Sequence, residues 1–149
     1  MELSFFDNVY EEALKAFNNN EVPIGAVIVK DGKVIASAYN HKEIDCCCTS
    51  HAEILAIQEA SKKVHNWRLD DCDIYVSLDP CPMCASAIKQ ARIKNIYSGL
   101  NNTDFHNLDI LNMILKTDNT NPSVLFQSNL DVERSKKLLS SFFEKQRNS

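Results

Sequence analysis

Ile24-Gly25-Ala26-Val27-Ile28-Val29-Lys30-Asp31-Gly32-Lys33-Val34-Ile35-Ala36-Ser37-Ala38-Tyr39 is the stretch on which the fold turns. Two runs rich in β-branched side chains, Ile24 to Lys30 and Val34 to Tyr39, flank the pair Asp31-Gly32. Branching at Cβ restricts χ1 and suits a pleated surface, so such runs favour strands. Asp followed by Gly accepts the two positive φ angles of a type I′ turn, whose twist matches the strands it joins. The stretch therefore predicts a β-hairpin.

On the N-terminal side, Leu3, Phe6, Val9, Tyr10, Ala13, Leu14 and Phe17 recur at helical spacing, and Asn18 to Asn20 end the pattern. On the C-terminal side a polar loop precedes a helix from about His51 to Val64, with Ser50 placed to cap it and Glu53 as its capping-box partner. Asp73 to Leu78 reads as a buried strand that Asp79 and Pro80 break. A second helix starts at Cys81, with Pro82 in its first turn where no amide donor is needed. Lys94 to Leu100 is a further strand. A short helix near Leu108 to Leu115, a strand near Ser123 to Gln127 and a helix from about Val132 to Lys145 complete the chain. Strands alternating with helices after an opening hairpin predict an α/β fold: a three-layer α/β/α sandwich around a mixed five-stranded sheet. With no repeat, low-complexity tract or Pro/Gly linker, residues 1–149 read as a single domain.

The bulk numbers agree. A chain of 149 residues, 44% hydrophobic and 24% charged, has a globular balance. No apolar run approaches the roughly 20 residues that cross a bilayer, and the start is acidic (Glu2, Asp7, Glu11, Glu12), which predicts a soluble, cytoplasmic protein with no membrane partner. In a reducing compartment six cysteines point to metal binding or plain burial before disulfides. The formal charge of −4 excludes a protein that coats nucleic acid non-specifically, yet the last sixteen residues set Arg134, Lys136, Lys137, Lys145 and Arg147 against Glu144 alone. Such a helix either meets phosphate or is an ordinary solvated face.

Chemistry-bearing residues concentrate in two short segments, His51-Ala52-Glu53 and Pro80-Cys81-Pro82-Met83-Cys84, both at predicted helix starts. Cys81 and Cys84 are three apart, which puts them on one helix face, and amides at a helix N-terminus stabilise thiolates. With His51 they make one imidazole and two sulfurs, a set that suits tetrahedral zinc with its fourth position left to water. No second Cys-x-x-Cys closes the site. Glu53 stands two residues beyond His51, where a single carboxyl group can carry protons between water, a ring nitrogen and a departing amine. Singly, each residue has a plainer use: His51 and Glu53 as capping residues, Cys81 and Cys84 as half of a structural zinc site or a redox pair. Together, His-x-Glu followed by Pro-Cys-x-x-Cys is the signature of the zinc-dependent nucleobase deaminases. Cys72 is expected at a strand edge, and Cys46 to Cys48 find no role.

With those residues on the page, the chain resembles the bacterial tRNA-specific adenosine deaminases of the cytidine deaminase-like superfamily. The likeness covers Pro23 to Val29 with Asp31-Gly32, Asn40, His51 to Ile54, Trp67-Arg68-Leu69, Tyr75 to Leu78, Pro80 to Cys84, Ala91-Arg92-Ile93 and Phe142-Phe143. The resemblance implies a zinc-dependent homodimer that converts adenosine to inosine at the first anticodon position of a tRNA, with the base flipped into a pocket. It also implies that Asn40 holds the flipped nucleotide and that the helix of Phe142 and Phe143 lies near the RNA. Three departures stand out: Leu100-Asn101-Asn102-Thr103-Asp104 replaces the family's Asp-x-Lys-x-Gly-Ala stretch, with Asn102 in place of its Asp; Cys47 to Ser50 replace a Pro-Thr-Ala lead-in to the histidine; and Asp79 stands where Glu is common. Two other readings share the zinc residues, a deaminase of a free base or nucleoside of guanine or cytosine type, and a non-catalytic zinc or RNA-binding subunit.

Overall fold

A computed structural model describes residues 1–103, 107–117 and 120–148. The hairpin forms as read. Strands β1 (Gly25–Lys30) and β2 (Lys33–Tyr39) pair antiparallel, Lys30 faces Lys33, and Asp31 and Gly32 hold φ of 51° and 74°. On its other side β1 pairs antiparallel with β3 (Cys72–Val76); β4 (Asn95–Ser98) then runs parallel to β3, and β5 (Leu125–Gln127) parallel to β4. The sheet is therefore mixed and five-stranded, in the order β2-β1-β3-β4-β5. Each parallel step uses a helical crossover, as parallel strands require: α3 (Pro82–Gln90) between β3 and β4, and α4 (Asn107–Lys116) between β4 and β5.

Alternation along the strands divides the core. Val27, Val29, Tyr75 and Tyr97 meet Phe6 and Val9 of α1 (Phe5–Asn18) on one face. Ala26, Ile28, Ile74, Val76 and Ile96 meet Ala52, Ala56 and Ala60 of α2 (Ala52–Val64), Ile88 of α3 and Leu115 of α4 on the other. Both faces are covered, which is why the central strands read as continuous apolar runs. The terminal helix α5 (Val132–Arg147) lies beside α1, with the Phe17 and Phe142 rings edge to face at 6.4 Å. A three-layer α/β/α sandwich results. Gly25 sets how closely α1 lies on the sheet: a Cβ there would stand 2.4 Å from the Val9 carbonyl oxygen and 2.7 Å from the Ala13 nitrogen.

Two expectations are corrected. Strands β3 and β4 end two residues early, at Val76 and Ser98, because side chains there take the place of strand carbonyls: the Ser77 hydroxyl accepts the Gly25 amide (3.1 Å), and the Asp79 carboxylate accepts the Asn102 amide (3.3 Å). The cap of α2 is His51, not Ser50. His51 is extended (φ −79°, ψ 152°) and its side chain makes no capping bond, while the Ser50 carbonyl is held by the His41 amide at 2.9 Å. Glu53 does not reach back as a capping-box partner; its carboxyl turns toward the Cys84 thiol. Asp104 lies outside the described residues.

Candidate metal centre and active-site cavity

The two ligand-bearing helices start at the same corner of the molecule. His51 is the N-cap residue of α2 and Cys81 that of α3, and neither uses its side chain to cap. Pro82 at the first helical position of α3 needs no amide acceptor. Both side chains are therefore left for other work. His51 Nδ1 lies 3.7 Å from Cys81 Sγ and 3.4 Å from Cys84 Sγ, and the three ligand atoms all fall within 4.8 Å of one another. Among the described residues no other group of His, Cys, Asp and Glu converges in this way.

The donors are electronically prepared. A hydrogen bond from Cys84, opposed by burial, holds the Cys81 thiol down at about 4, with further help from His51. The same bond to Cys81, together with burial, pushes Cys84 far upward, so the pair retains one proton on Cys84. His51 is raised by its hydrogen bond with Cys81, against the effect of burial. An imidazole and two sulfurs, one already a thiolate, are soft donors at the mutual distances of ligands around one ion, and they fit a tetrahedral divalent metal. Glu53 sits beside them, 4% exposed, and burial pushes its carboxyl up to about 7, with the Cys81 thiolate adding to the rise and its own backbone amide opposing it. All four chemistry-bearing residues of the sequence reading are thus brought together.

His51, Glu53 and Cys81 open onto a cavity of about 220 Å³, with Cys84 buried behind them. It lies where β3 and β4 end, the edge at which open α/β sheets bind ligands. Because β1 is antiparallel, its lead-in residues Val22 and Ile24 reach the same edge, as does Asn40 at the end of β2. Asn40 is 7% exposed; its Nδ2 donates to the Val22 carbonyl (3.4 Å) and its Oδ1 accepts from the Lys42 amide (3.2 Å). A larger cavity of about 380 Å³, between α3 and α4 around Lys89, Arg92 and Thr117, contains none of the ligand set. Chemistry decides between the two, and it favours the smaller.

Three supports escaped the sequence reading. Asp79, read there as a strand breaker, is 2% exposed and accepts from the Ser128 hydroxyl (2.5 Å) and the Asn102 amide (3.3 Å), tying together the segments that follow β3, β4 and β5. Glu21 is 1% exposed and grips the amides of Glu43 (3.0 Å) and Ile44 (2.6 Å). Lys42 lines the cavity, and its charge is felt at the His51 ring. Nothing in the local pattern around Glu21 or Ser128 marks them.

Comparison with known proteins meets this geometry at residues 2–147, which match the family model of MafB19-like deaminases. The chain belongs to that deaminase family. Among its relatives, the "tRNA-specific adenosine deaminase" of Aquifex aeolicus is 39% identical over 146 residues, 97% of this chain and 95% of that protein. The chloroplastic "tRNA(adenine(34)) deaminase" of Arabidopsis thaliana is 49% identical over 98 residues, 66% of this chain but only 8% of the length of that much longer protein. A solved structure from studies of A-to-I editing by tRNA:A34 deaminases at the wobble position superposes with a TM-score of 0.83 at 33% identity, covering 93% of this chain and all of the other. A guanine deaminase from Bacillus subtilis superposes with a TM-score of 0.64 at 38% identity, over 72% of this deaminase and 69% of its own chain. The fold reading of a deaminase sandwich therefore stands, and the converging His/Cys/Cys group gives the deaminase a place for a metal.

Proposed function

We propose that this deaminase, acting as a single domain over residues 1–149, hydrolyses adenosine to inosine at the first anticodon position of a tRNA. In this reading zinc is held by His51, Cys81 and Cys84, and Glu53 carries the protons. The observation that bears most weight is the convergence of one imidazole and two sulfurs beside a buried carboxyl at the floor of a small cavity. Zinc bound by such a set supplies the Lewis acidity that brings the ionisation of water toward neutral pH.

The rest falls to the chain itself. Glu53 takes a proton from the attacking water and gives it to N1 of the purine; a second proton, passed the same way, leaves with the C6 amine as ammonia, and C6 becomes a carbonyl. Asn40, held by Val22 and Lys42, keeps its amide at the cavity wall for the sugar of the flipped nucleotide. A cavity of about 220 Å³ is below the roughly 300–1,000 Å³ of whole small-molecule sites, so it admits a base while the sugar and phosphates stay outside. Lys42 stands at its wall, and α5 exposes Lys136, Lys137, Phe143, Lys145 and Arg147, a cationic and aromatic surface suited to RNA. Similarity to tRNA-specific deaminases over nearly the whole chain supports the same substrate; a cytoplasmic site of action and a homodimer complete the proposal. No helix among the described residues is long and apolar enough to cross a membrane.

The test offers the purified, zinc-loaded protein an anticodon stem-loop with adenosine at its first anticodon position, alongside free adenosine, guanine and cytosine. We expect inosine in the RNA alone, from a species that sediments as a dimer. Ammonia released from a free base, with the RNA untouched, would transfer the chain to the free-base reading, and a monomer at working concentration would remove the dimer.

A further inference from the structure

Asp45-Cys46-Cys47-Cys48-Thr49-Ser50 leads straight into His51, and neither the ligand set nor the cavity lining uses its three thiols. All three are exposed, whereas Cys72 and Cys84 are buried and Cys81 is half-buried. The exposed thiols are not equivalent. Cys46 donates its S–H to the Glu43 carbonyl at 3.6 Å. Cys47 Sγ lies 3.2 Å from the Thr49 hydroxyl, a group that can donate to the thiolate once it forms, and that contact lowers the Cys47 thiol below its ordinary value. The thiolate is the attacking species in exchange with disulfides, and exposure decides whether a partner can reach it.

The loop that carries these thiols is bolted to the site. Buried Glu21 grips the Glu43 and Ile44 amides, the His41 amide closes the loop onto the Ser50 carbonyl, and the Cys47 amide returns to the Lys42 carbonyl at 3.0 Å. Thr49 joins the two ends of the argument. Its hydroxyl touches Cys47, and its carbonyl accepts the His51 amide at 2.8 Å. Whatever pulls the Cys47 sulfur away from Thr49 thus acts on the residue that holds the start of α2 and its imidazole.

We propose that the Cys46-Cys47-Cys48 loop is a thiol–disulfide exchange site at which a low-molecular-weight disulfide modifies Cys47 and slows the deaminase; the second half of this statement rests on the function proposed above. The Cys47 thiolate attacks one sulfur of the disulfide RSSR, an S–S bond to Cys47 forms as the original S–S bond breaks, and the departing RS⁻ takes a proton from water. Cys47 is oxidised and one half of RSSR is reduced. Cys48 does not resolve the adduct, because Cα atoms of adjacent residues are about 3.8 Å apart, short of the roughly 4.4–6.8 Å that a disulfide spans. The mixed disulfide persists until an external thiol removes it. A glutathione adduct adds bulk and negative charge on the loop that also presents Lys42, where an RNA phosphate is to be met.

The test incubates the zinc-loaded protein with oxidised glutathione and maps the adduct by intact and peptide mass. We expect one adduct, on Cys47, lost in Cys47→Ser and kept in Cys46→Ser and Cys48→Ser. Zinc release to a chromogenic chelator should quicken and RNA deamination fall by about tenfold, the scale of losing a group that orients a metal ligand. Both should return to their starting values with dithiothreitol, while Cys47→Ser stays active throughout. Adducts spread evenly over the exposed cysteines, confined to Cys81 and Cys84, or absent would overturn the exchange site. An adduct on Cys47 that changes neither zinc release nor deamination would overturn the switch. Adduct mapping and zinc release need no substrate, so they stand apart from any failure of the tRNA reading.

Discussion

Glu53 is a carboxyl group that the fold has taken out of water and set beside two sulfurs and an imidazole. If its only task is to move protons, removing it should leave the ligands intact. We expect Glu53→Ala to retain stoichiometric zinc by elemental analysis while deamination falls by about 10²–10⁴-fold, the usual share of general acid–base catalysis. Full turnover in that variant would take Glu53 out of the mechanism. Residues of this kind were legible in the sequence because chemistry fixes their spacing locally: His51 and Glu53 are two apart, Cys81 and Cys84 three apart, each pair at a helix start. Asp79 and Glu21 were not, because what they hold is distant along the chain. Ser128 reaches Asp79 across 49 positions and Ile44 reaches Glu21 across 23, and no local pattern encodes either meeting. The Ser50 cap was misread for a related reason: a serine in the right place looks like a cap, but the helix begins one residue later and the Ser50 hydroxyl turns to the Cys47 thiol.

At the level of elements, the join between α1 and β1 is the least forgiving. Gly25 lies against the Val9 carbonyl and the Ala13 amide, so one added methyl meets backbone and not a side chain that can swing aside. Overpacking of a well-filled core costs about 1–3 kcal/mol. We expect Gly25→Ala to lower stability by that amount in urea unfolding, and an unchanged midpoint would show that α1 can lift away freely. The hairpin was legible from its turn pair and its branched side chains, and the crossovers from the alternation of periods. The exact strand ends were not, because side chains replace strand carbonyls there: the Ser77 hydroxyl accepts the Gly25 amide and the Asp79 carboxylate the Asn102 amide. The loop between β2 and α2 offers a second test at this scale. With its base fixed by Glu21 and Asn40, Lys42 projects a charge at the cavity wall. We expect Lys42→Gln to raise KM for the stem-loop at nearly constant kcat and to reduce the slope of log affinity against log salt by about one, as loss of a phosphate contact does. An unaltered salt slope would mean that Lys42 faces no phosphate.

For the molecule as a whole, the three ligands join the start of α2 to the start of α3, so an ion seated among them would tie together two helices of one layer. An ion that binds the folded state alone stabilises it by mass action. We expect a chelator to lower the melting temperature of the wild-type protein measurably, and Cys81→Ser to lack zinc and to melt at the chelated temperature or below. Normal zinc content in Cys81→Ser would contradict the ligand assignment. Without metal the two thiols share one proton on Cys84, and that proton must leave when both sulfurs bind. Zinc uptake should therefore release protons and weaken as pH falls. Calorimetry in buffers of different ionisation heat would read that release, and no dependence on buffer would refute it.

The sandwich divides labour between one fixed corner and the walls around it. The reacting corner is anchored where α2 and α3 begin, while the walls around it come from separate chain reversals at the sheet's exit: Asn40 and Lys42 from one, Asp79 from a second, Asn102 from a third. The second and third are clasped to each other through Asp79 and the Asn102 amide, whereas the first is held separately by Glu21. A change at Asn40 or Lys42 can therefore reshape one wall of the cavity while the clasp between the other two stays in place.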